Sequence, residues 1–506
     1  MTERRTYITT TIPYVNARPH LGFALELVQA DVLARRARQR GEHVRALTGT
    51  DDNSLKNVLA AQAEGVPVRE LVDRNAAAFA ALREPLDLSF DDFIRTSSDP
   101  RHRSGVERLW RLCAAQGDLY RKHYEGLYCV GCEQFYSPDD LVDGRCPDHG
   151  TEPQVVAEEN WFFRLSRYAD QLRDLISSGR LRIEPASRRN EIMALIDGGL
   201  HDFSVSRSHT RAHGWGIPVP GDPDQVIYVW WDALGNYVTS LGFGTVHPDL
   251  HPDFATWWVG SERRIHLVGK GVIRFHAVYW PAMLLSAGLP LPTEILVHDY
   301  LTIDGRKISK SSGATADPTS LVEQVGTDAV RWWLLREVPR VGDADFTLAR
   351  LVERANAELA GGVGNLVHRT VTMIHRYRGA AVPTAKTPVS EALEQACAQA
   401  PEAIDAALED FDFRRATSAV WRIVDEANRA IDATRPWQLA KAERDGDPDA
   451  SHQLDVALAE LYGACVSLAT CLAPFLPTAA ELISTQCTPI DGVLPQSTAL
   501  FPRIEV

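Results

Sequence analysis

No charge-free apolar run in this sequence approaches the length needed to cross a bilayer. The first residues show neither the charged and apolar pattern of a secretory signal nor that of a transit peptide, so a cytoplasmic chain is expected. Excess positive charge is also lacking. With 53 Lys and Arg against 67 Asp and Glu, the net charge is -14, which disfavours a general nucleic-acid coat and leaves any polyanion to local basic patches. There is no internal repeat and no low-complexity tract. Cysteine is sparse. Of eight, Cys113, Cys397, Cys465, Cys471 and Cys487 are scattered, mostly in helical stretches, and read as reduced core thiols. What remains is 506 residues with 45% hydrophobic content, enough for about two to four domains.

The chain is organised around residues 7–40. Residues 7–12, Tyr-Ile-Thr-Thr-Thr-Ile, are β-branched and aromatic without charge, which suits a buried strand. Pro13, Asn16 and Pro19 then break the pattern, and Leu21, Leu25, Val28 and Val32 recur at helical spacing up to Gly41. In a parallel sheet that order places the loop and the helix N-terminus at the carboxyl edge, where orphan N–H groups attract phosphate. His20 is a donor at that spot, and Gly22 lets a ligand approach the backbone. A helix cap at His20 and a packing role for Gly22 explain the same four residues equally well.

Residues 43–47 read as a second strand, running into Gly49-Thr50-Asp51-Asp52-Asn53. Two carboxylates at a strand's carboxyl end can hold an ammonium group or a metal, and they can equally cap a helix. Helical stretches to Arg83, an apolar segment at 90–94 and a helix over 100–116 continue an alternation of β and α, hence a doubly wound parallel sheet.

The pattern breaks near Tyr120. Cys129-Val-Gly-Cys132 is followed by Cys146-Pro-Asp-His149, a Cys3His set whose soft donors fill all four positions of a structural Zn2+. A disulfide pair is the other possibility, disfavoured in a reducing compartment. Strand-like segments follow near 159–166 and 181–184, then a strand over 225–230 running into Trp231-Asp232-Ala233-Leu234-Gly235-Asn236-Tyr237. Aromatics there line either a small apolar pocket or an ordinary core. Residues 264–268 make another strand, entering Gly269-Lys270-Gly271, and 294–298 one more. A hairpin at 302–305 leads to Lys307-Ile308-Ser309-Lys310-Ser311-Ser312-Gly313, a loop that is either simply solvated or able to close over phosphates. From Leu321 onward strand signals nearly vanish. Helices are expected over 328–337, 348–371, 391–408, 413–433 and 454–472, with a loop at 380–388, forming a bundle.

His20-Leu-Gly-Phe23 and Lys307-Ile-Ser-Lys310-Ser, separated by a zinc-type insertion and followed by helices, resemble the two signature motifs of class I aminoacyl-tRNA synthetases. More narrowly the chain resembles the methionyl-tRNA synthetase family. Ile12-Pro-Tyr14-Val-Asn16, Gly49-Thr-Asp-Asp52, Trp215-Gly-Ile-Pro218, Tyr228-Val-Trp230-Trp-Asp232-Ala233, Phe275-His276, Trp280-Pro-Ala-Met283, Val297-His298, Asn365-Leu-Val-His-Arg369 and Arg435-Pro-Trp437 all match. The resemblance implies a methionine site with Asp52 on the ammonium and Ile12, Tyr14, Trp230, Ala233, Leu234, Tyr237 and His298 around the side chain. It also implies ATP, carried with Mg2+, held at His20, Gly22, Gly269, Lys307 and Lys310, with His20, Lys307 and Lys310 catalytic. Asn365, Arg369 and Trp437 would read the anticodon of tRNA(Met).

The implied architecture is a Rossmann-type catalytic domain in two halves, 1–117 and 225–320. A zinc-knuckle insertion at 118–224 separates them, and a stem-contact linker at 321–350 and a helical anticodon-binding domain at 351–506 follow. No editing domain is expected, and no dimerisation module, so a monomer is the expectation. Three positions depart from the family pattern: Phe23 replaces the second histidine, Asn53-Ser54-Leu55 stands where an acidic residue, His and Gly are usual, and Gly271 replaces a ribose-binding aspartate. These departures keep open a divergent paralogue with altered substrate or inhibitor sensitivity, or a catalytically weak tRNA-binding protein.

Overall fold

The computed structural model describes residues 4–131, 134–136, 138–147, 150–245, 252–303, 305–308, 317–384 and 390–505. They fall into two compact units: residues 1–30, 40–83 and 89–298, and residues 31–39, 84–88 and 299–506.

In the first unit β1 (Arg5–Thr10) leads to α1 (Leu21–Gln39), β2 (His43–Thr50), α2 (Leu55–Glu64), α3 (Val68–Ala80), β3 (Asp92–Arg95) and α4 (Pro100–Ala115). Side-chain caps mark the starts that the polar residues predict. Ser54 accepts from the Lys56 N–H at the head of α2, and Asp99 accepts from the Arg101 N–H ahead of α4, with Pro100 in its first turn. Next come β4 (Leu119–Cys129), β5 (Gln134–Tyr136), β6 (Gln154–Phe163), α5 (Ala169–Ser177), β7 (Arg182–Glu184), α6 (Ala186–Asp197), β8 (Phe203–Ser204), β9 (Ser206–Ser208), β10 (Pro218–Val219) and β11 (Asp222–Ile227). The unit ends with α7 (Val229–Thr239), β12 (Arg263–Gly269), α8 (Trp280–Ala287) and β13 (Glu294–His298).

The central sheet has the order β3-β2-β1-β12-β13-β7 and every pair in it is parallel. From β1 the chain winds outward through β2 and β3 on one side, and returns through β12 and β13 on the other. The crevice beyond the carboxyl end of β1 is therefore the switch point, where ligands bind in such sheets.

Two expectations are corrected. The segment 118–224 is not wholly an insertion, because β7 pairs with β13 and closes the central sheet. Only Ile183 of its three residues is fully buried, too short a pattern for alternation to reveal. Residues 225–230 are likewise not a strand of that sheet. β11 belongs to an antiparallel sheet of order β10-β11-β9, and α7 begins at Val229, so Trp230 lies in a helix. Ten of the eleven residues of α7 are buried, and a helix apolar on all sides cannot be told from a buried strand by periodicity. β4, β5, β6 and β8 form a separate antiparallel sheet.

In the second unit β14 (Leu301–Ile303) and β15 (Arg306–Lys307) form the expected hairpin, although Asp304 at its turn lies outside the described residues. Then follow α9 (Pro318–Val325), α10 (Thr327–Arg336), β16 (Ala344–Asp345), α11 (Leu348–Arg354), a π-helical stretch (Ala355–Gly364) and α12 (Asn365–Arg378). α13 (Glu391–Glu409), α14 (Phe413–Thr434), α15 (Pro436–Arg444), α16 (Pro448–Leu472) and α17 (Pro477–Gln486) complete it. The single helix expected over 348–371 is thus interrupted. A Cβ on Gly362 would stand 2.3 Å from Trp421 of α14, so glycine is what lets these helices meet, and a glycine-rich run holds α-geometry weakly. α15 and α17 were not foreseen. α16 is long and apolar enough to cross a membrane, yet 56% of its most apolar window is buried inside the bundle.

Arg331, fully buried, organises this unit. Its five N–H groups all find acceptors: Phe475 O, Leu86 O, Asp87 O, Pro474 O and the Asp31 carboxylate, at 2.8–3.2 Å.

Candidate active site

At the head of α1 His20 caps the helix. The N–H groups of Phe23 and Ala24 donate to its carbonyl, and the Gly22 N–H donates to its Nδ1 at 3.1 Å. Because Nδ1 accepts, the neutral ring carries its proton on Nε2, and the exposed imidazole presents a donor on its opposite edge. A Cβ on Gly22 would meet Cε1 and Nδ1 of that ring at 3.1 Å, so the glycine is what allows the ring to fold over the helix start. Phe23 points the other way. It is 7% exposed and packs edge-on against Phe79 with centroids 5.2 Å apart, so an apolar contact fills the place of the family's second histidine.

The loop leaving β1 is held by Glu26 of α1. Its Oε1 accepts from the Thr11 N–H and the Thr11 hydroxyl, both at 2.6 Å, while Oε2 pairs with His298 Nε2 at 2.8 Å. His298 therefore reaches the pocket loop through Glu26. Asp52 is fully buried and turned to Arg95 at 3.0 Å and Ser97 at 2.7 Å. Burial raises its pKa, and Arg95 and Ser97 oppose that rise. Its neighbour Asp51 is the residue bridged to Tyr14, with its N–H on Pro13 O at 2.9 Å. Adjacent residues of an extended chain face opposite ways, so the two carboxylates serve different neighbours.

α7 carries part of an aromatic cluster. Trp230 stacks on Phe275 at 3.7 Å with planes 6° apart, and Tyr14 lies 6.3 Å from Trp230 at a tilt. Ala233 and Leu234 are buried, and Ile12 packs against the same core as Trp230. The Tyr237 hydroxyl lies 2.7 Å from His276 Nε2, and His276 Nδ1 lies 2.9 Å from Val272 O. Burial pushes His276 down to about 4, so it is neutral. A carbonyl only accepts, which puts the ring proton on Nδ1 and makes Tyr237 the donor to Nε2. Burial also raises Tyr237 well above a free phenol. Phe275 and His276 were visible as a motif, but nothing in the sequence placed them on α7.

Gly269 ends β12 within 3.5 Å of His298, measured from a Cβ built on it, and Gly271 is exposed in the turn that follows. Lys307 closes the β14–β15 hairpin, and Lys310 lies outside the described residues. Among the metal candidates, Cys129 and Cys146 are both buried in one small cluster with Tyr136, while Cys132 and His149 lie outside the described residues. Among the described residues no group of three potential metal ligands occurs. Asn365 and Arg369 stand one turn apart on α12, Asn365 exposed, and Trp437 at the start of α15 is 43% exposed.

A doubly wound parallel sheet with a polar helix head beyond the carboxyl end of β1 is an arrangement common to nucleotide-binding α/β proteins. A family model described as "tRNA synthetases class I (M)" matches residues 6–155 and 137–371. A methionine–tRNA ligase of Caldanaerobacter subterraneus subsp. tengcongensis is 38% identical, covering 99% of this chain and 79% of that one. Another, of Brucella suis biovar 1, is 40% identical over 97% and 93%. The crystal structure of Mycobacterium tuberculosis methionyl-tRNA synthetase bound by methionyl-adenylate superposes with a TM-score of 0.90 at 36% identity, covering 99% of this chain and 100% of that one. The chain belongs to the class I tRNA synthetases, within the methionine–tRNA ligase family.

Proposed function

We propose that the chain activates methionine with ATP and transfers it to the 3′ end of tRNA(Met), with the pocket between α7 and the loop after β1 as the methionine site. The observation that carries this is the Trp230–Phe275 stack beside the Tyr237–His276 pair. A flat aromatic wall suits a polarizable thioether, and an unbranched side chain suits a narrow apolar slot. We assign the methionine ammonium to Asp52, whose Oδ2 takes Arg95 and Ser97 while its buried Oδ1 stands without a hydrogen-bond partner. Ile12, Tyr14, Trp230, Ala233, Leu234 and Tyr237 keep their places around the side chain. His298 acts by holding Glu26 and so the loop.

In the first step the methionine carboxylate attacks the α-phosphorus and pyrophosphate leaves. Mg2+ would accompany the triphosphate as part of the substrate. His20 gives Nε2–H to a phosphate oxygen, Gly22 and Gly269 let the nucleotide approach the backbone, and Lys307 and Lys310 supply positive charge. The tRNA ribose hydroxyl then takes the acyl group. No covalent enzyme intermediate is required, so positioning and charge stabilisation are sufficient. Cys129, Cys132, Cys146 and His149 would hold one structural Zn2+, a staple consistent with two buried thiols in a cluster too small to be a core. Asn365, Arg369 and Trp437 would take unpaired anticodon bases. A cytoplasmic monomer is the expected working form, testable by fractionation and light scattering.

Methionine-dependent ATP–pyrophosphate exchange, run across all amino acids and followed by charging of tRNA(Met), tests the proposal. Exchange with another amino acid alone, or none, would refute it. The packing of Phe23 on Phe79 favours a second reading, a paralogue with altered inhibitor sensitivity, which a comparison of adenylate-analogue inhibition with a relative carrying the second histidine decides.

A further inference from the structure

The chain beyond α17 is held down at closely spaced points along one line. Leu494 N–H donates to Ala380 O, and Pro495 O accepts from His375 Nε2. The Gln486 side chain clamps Thr498, with Oε1 on its N–H and Nε2 on its carbonyl, and Asn356 does the same to Ile504 at 2.8 and 2.9 Å. Phe501 lies against Gly364, the residue before α12. Two amide clamps bracket a segment that runs antiparallel to the π-helical stretch and α12.

The contacts fall beside the residues that matter for RNA. Gly364 and His368 flank Asn365 and Arg369 in sequence, and His368 Nδ1 lies 3.0 Å from the Ser497 hydroxyl. That hydroxyl gives its one proton to Gln486 Oε1, so it accepts from His368. Leu494 is 2% exposed and sits in one core cluster with Ile374 of α12, Ala440 of α15, and Leu454 and Leu458 of α16. It fills the seam between the helix that carries Asn365 and Arg369 and the helix that carries Trp437.

We propose that residues 490–504 are a positioning strap that keeps α12 and α15 in register, and so sets how sharply the chain discriminates between anticodons. The inference rests on the reading of Asn365, Arg369 and Trp437 given above. Protein interiors close poorly around a lost side chain, so removing Leu494 lets the helices shift against each other, and shifts of about 1 Å are enough to disturb recognition.

The test compares Leu494→Ala, Leu494→Met, Ser497→Ala and Trp437→Ala in the full chain. Three quantities are read: methionine-dependent exchange, kcat/KM for charging tRNA(Met), and its ratio to kcat/KM for the same tRNA with one anticodon base changed. Leu494→Ala should lower charging about tenfold and shrink the ratio by a similar factor, with exchange within about twofold. Ser497→Ala should show a smaller shift in the same direction, and Leu494→Met should restore both. Equal losses on both tRNAs with the ratio intact would mean that the strap merely stabilises, and would overturn the proposal. So would a ratio unchanged in Leu494→Ala while Trp437→Ala abolishes it. If Trp437→Ala itself leaves the ratio intact, the anticodon reading falls, and the strap proposal with it.

Discussion

The two units place their functional side chains by opposite means. In the first, the pocket groups are locked from behind by buried polar partners: Tyr237 by His276, His276 by Val272, Thr11 by Glu26, Glu26 by His298. In the second, Asn365 and Trp437 stand in solvent, and the unit's order comes from buried groups elsewhere in it, Arg331, Gln486 and Leu494 among them. A small ligand must be enclosed and desolvated, so its contacts are part of the core. A nucleic-acid base arrives from outside and needs an exposed face on a rigid support.

That contrast can be broken at its supports. Arg331→Ala removes the donor to the Leu86, Pro474 and Phe475 carbonyls and leaves Asp31 to Arg35, and should cost about 3–5 kcal/mol by denaturant melts of the second unit. Little change would mean that the helical unit does not depend on its buried node. In the first unit Asp52→Ala should lower kcat/KM for methionine by about 100- to 1000-fold in exchange assays. Asp51→Asn should act mainly on stability, and the reverse ranking would move the ammonium to Asp51.

A pH experiment sharpens the comparison within the second unit. Asp328 is pushed up to about 6, chiefly by burial, with Arg331 opposing and Asp87 adding to the rise. A carboxyl whose folded pKa lies above its unfolded value of 3.8 binds protons more tightly when folded, so stability falls as pH rises from about 4 to 6 and is level above. Asp328→Asn should therefore gain on the order of 2 kcal/mol over the parent at pH 7 and nothing near pH 3. A constant difference across that range would exclude the titration. The smallest effect expected is His276→Phe, which removes the acceptor of the Tyr237 proton. It should raise KM for methionine about tenfold while kcat moves less, measured by exchange.

Much of this molecule could be read before its structure. The strand, loop and helix of residues 5–39 are where periodicity puts them, and so are β12, β13 and most of the bundle. What failed shares one cause, that local sequence does not report the third dimension. Residues 226–231 are an unbroken apolar run, which hides the passage from β11 to α7. His276 was seen as part of a motif, but its contact with Tyr237 spans 39 residues. Residues 490–504 have no periodicity at all, because most of their outward hydrogen bonds go to side chains of α17, α12 and the stretch before it.

The cap at His20 carries a last consequence. One nitrogen of the ring is occupied by the amide of Gly22, so an imidazole protonated on both sides would have to let that amide go. Acid would thus free the Gly22 amide in the same event that charges the ring. The helix start fixes the ring in one protonation pattern, and extra positive charge there comes only with a loosened scaffold.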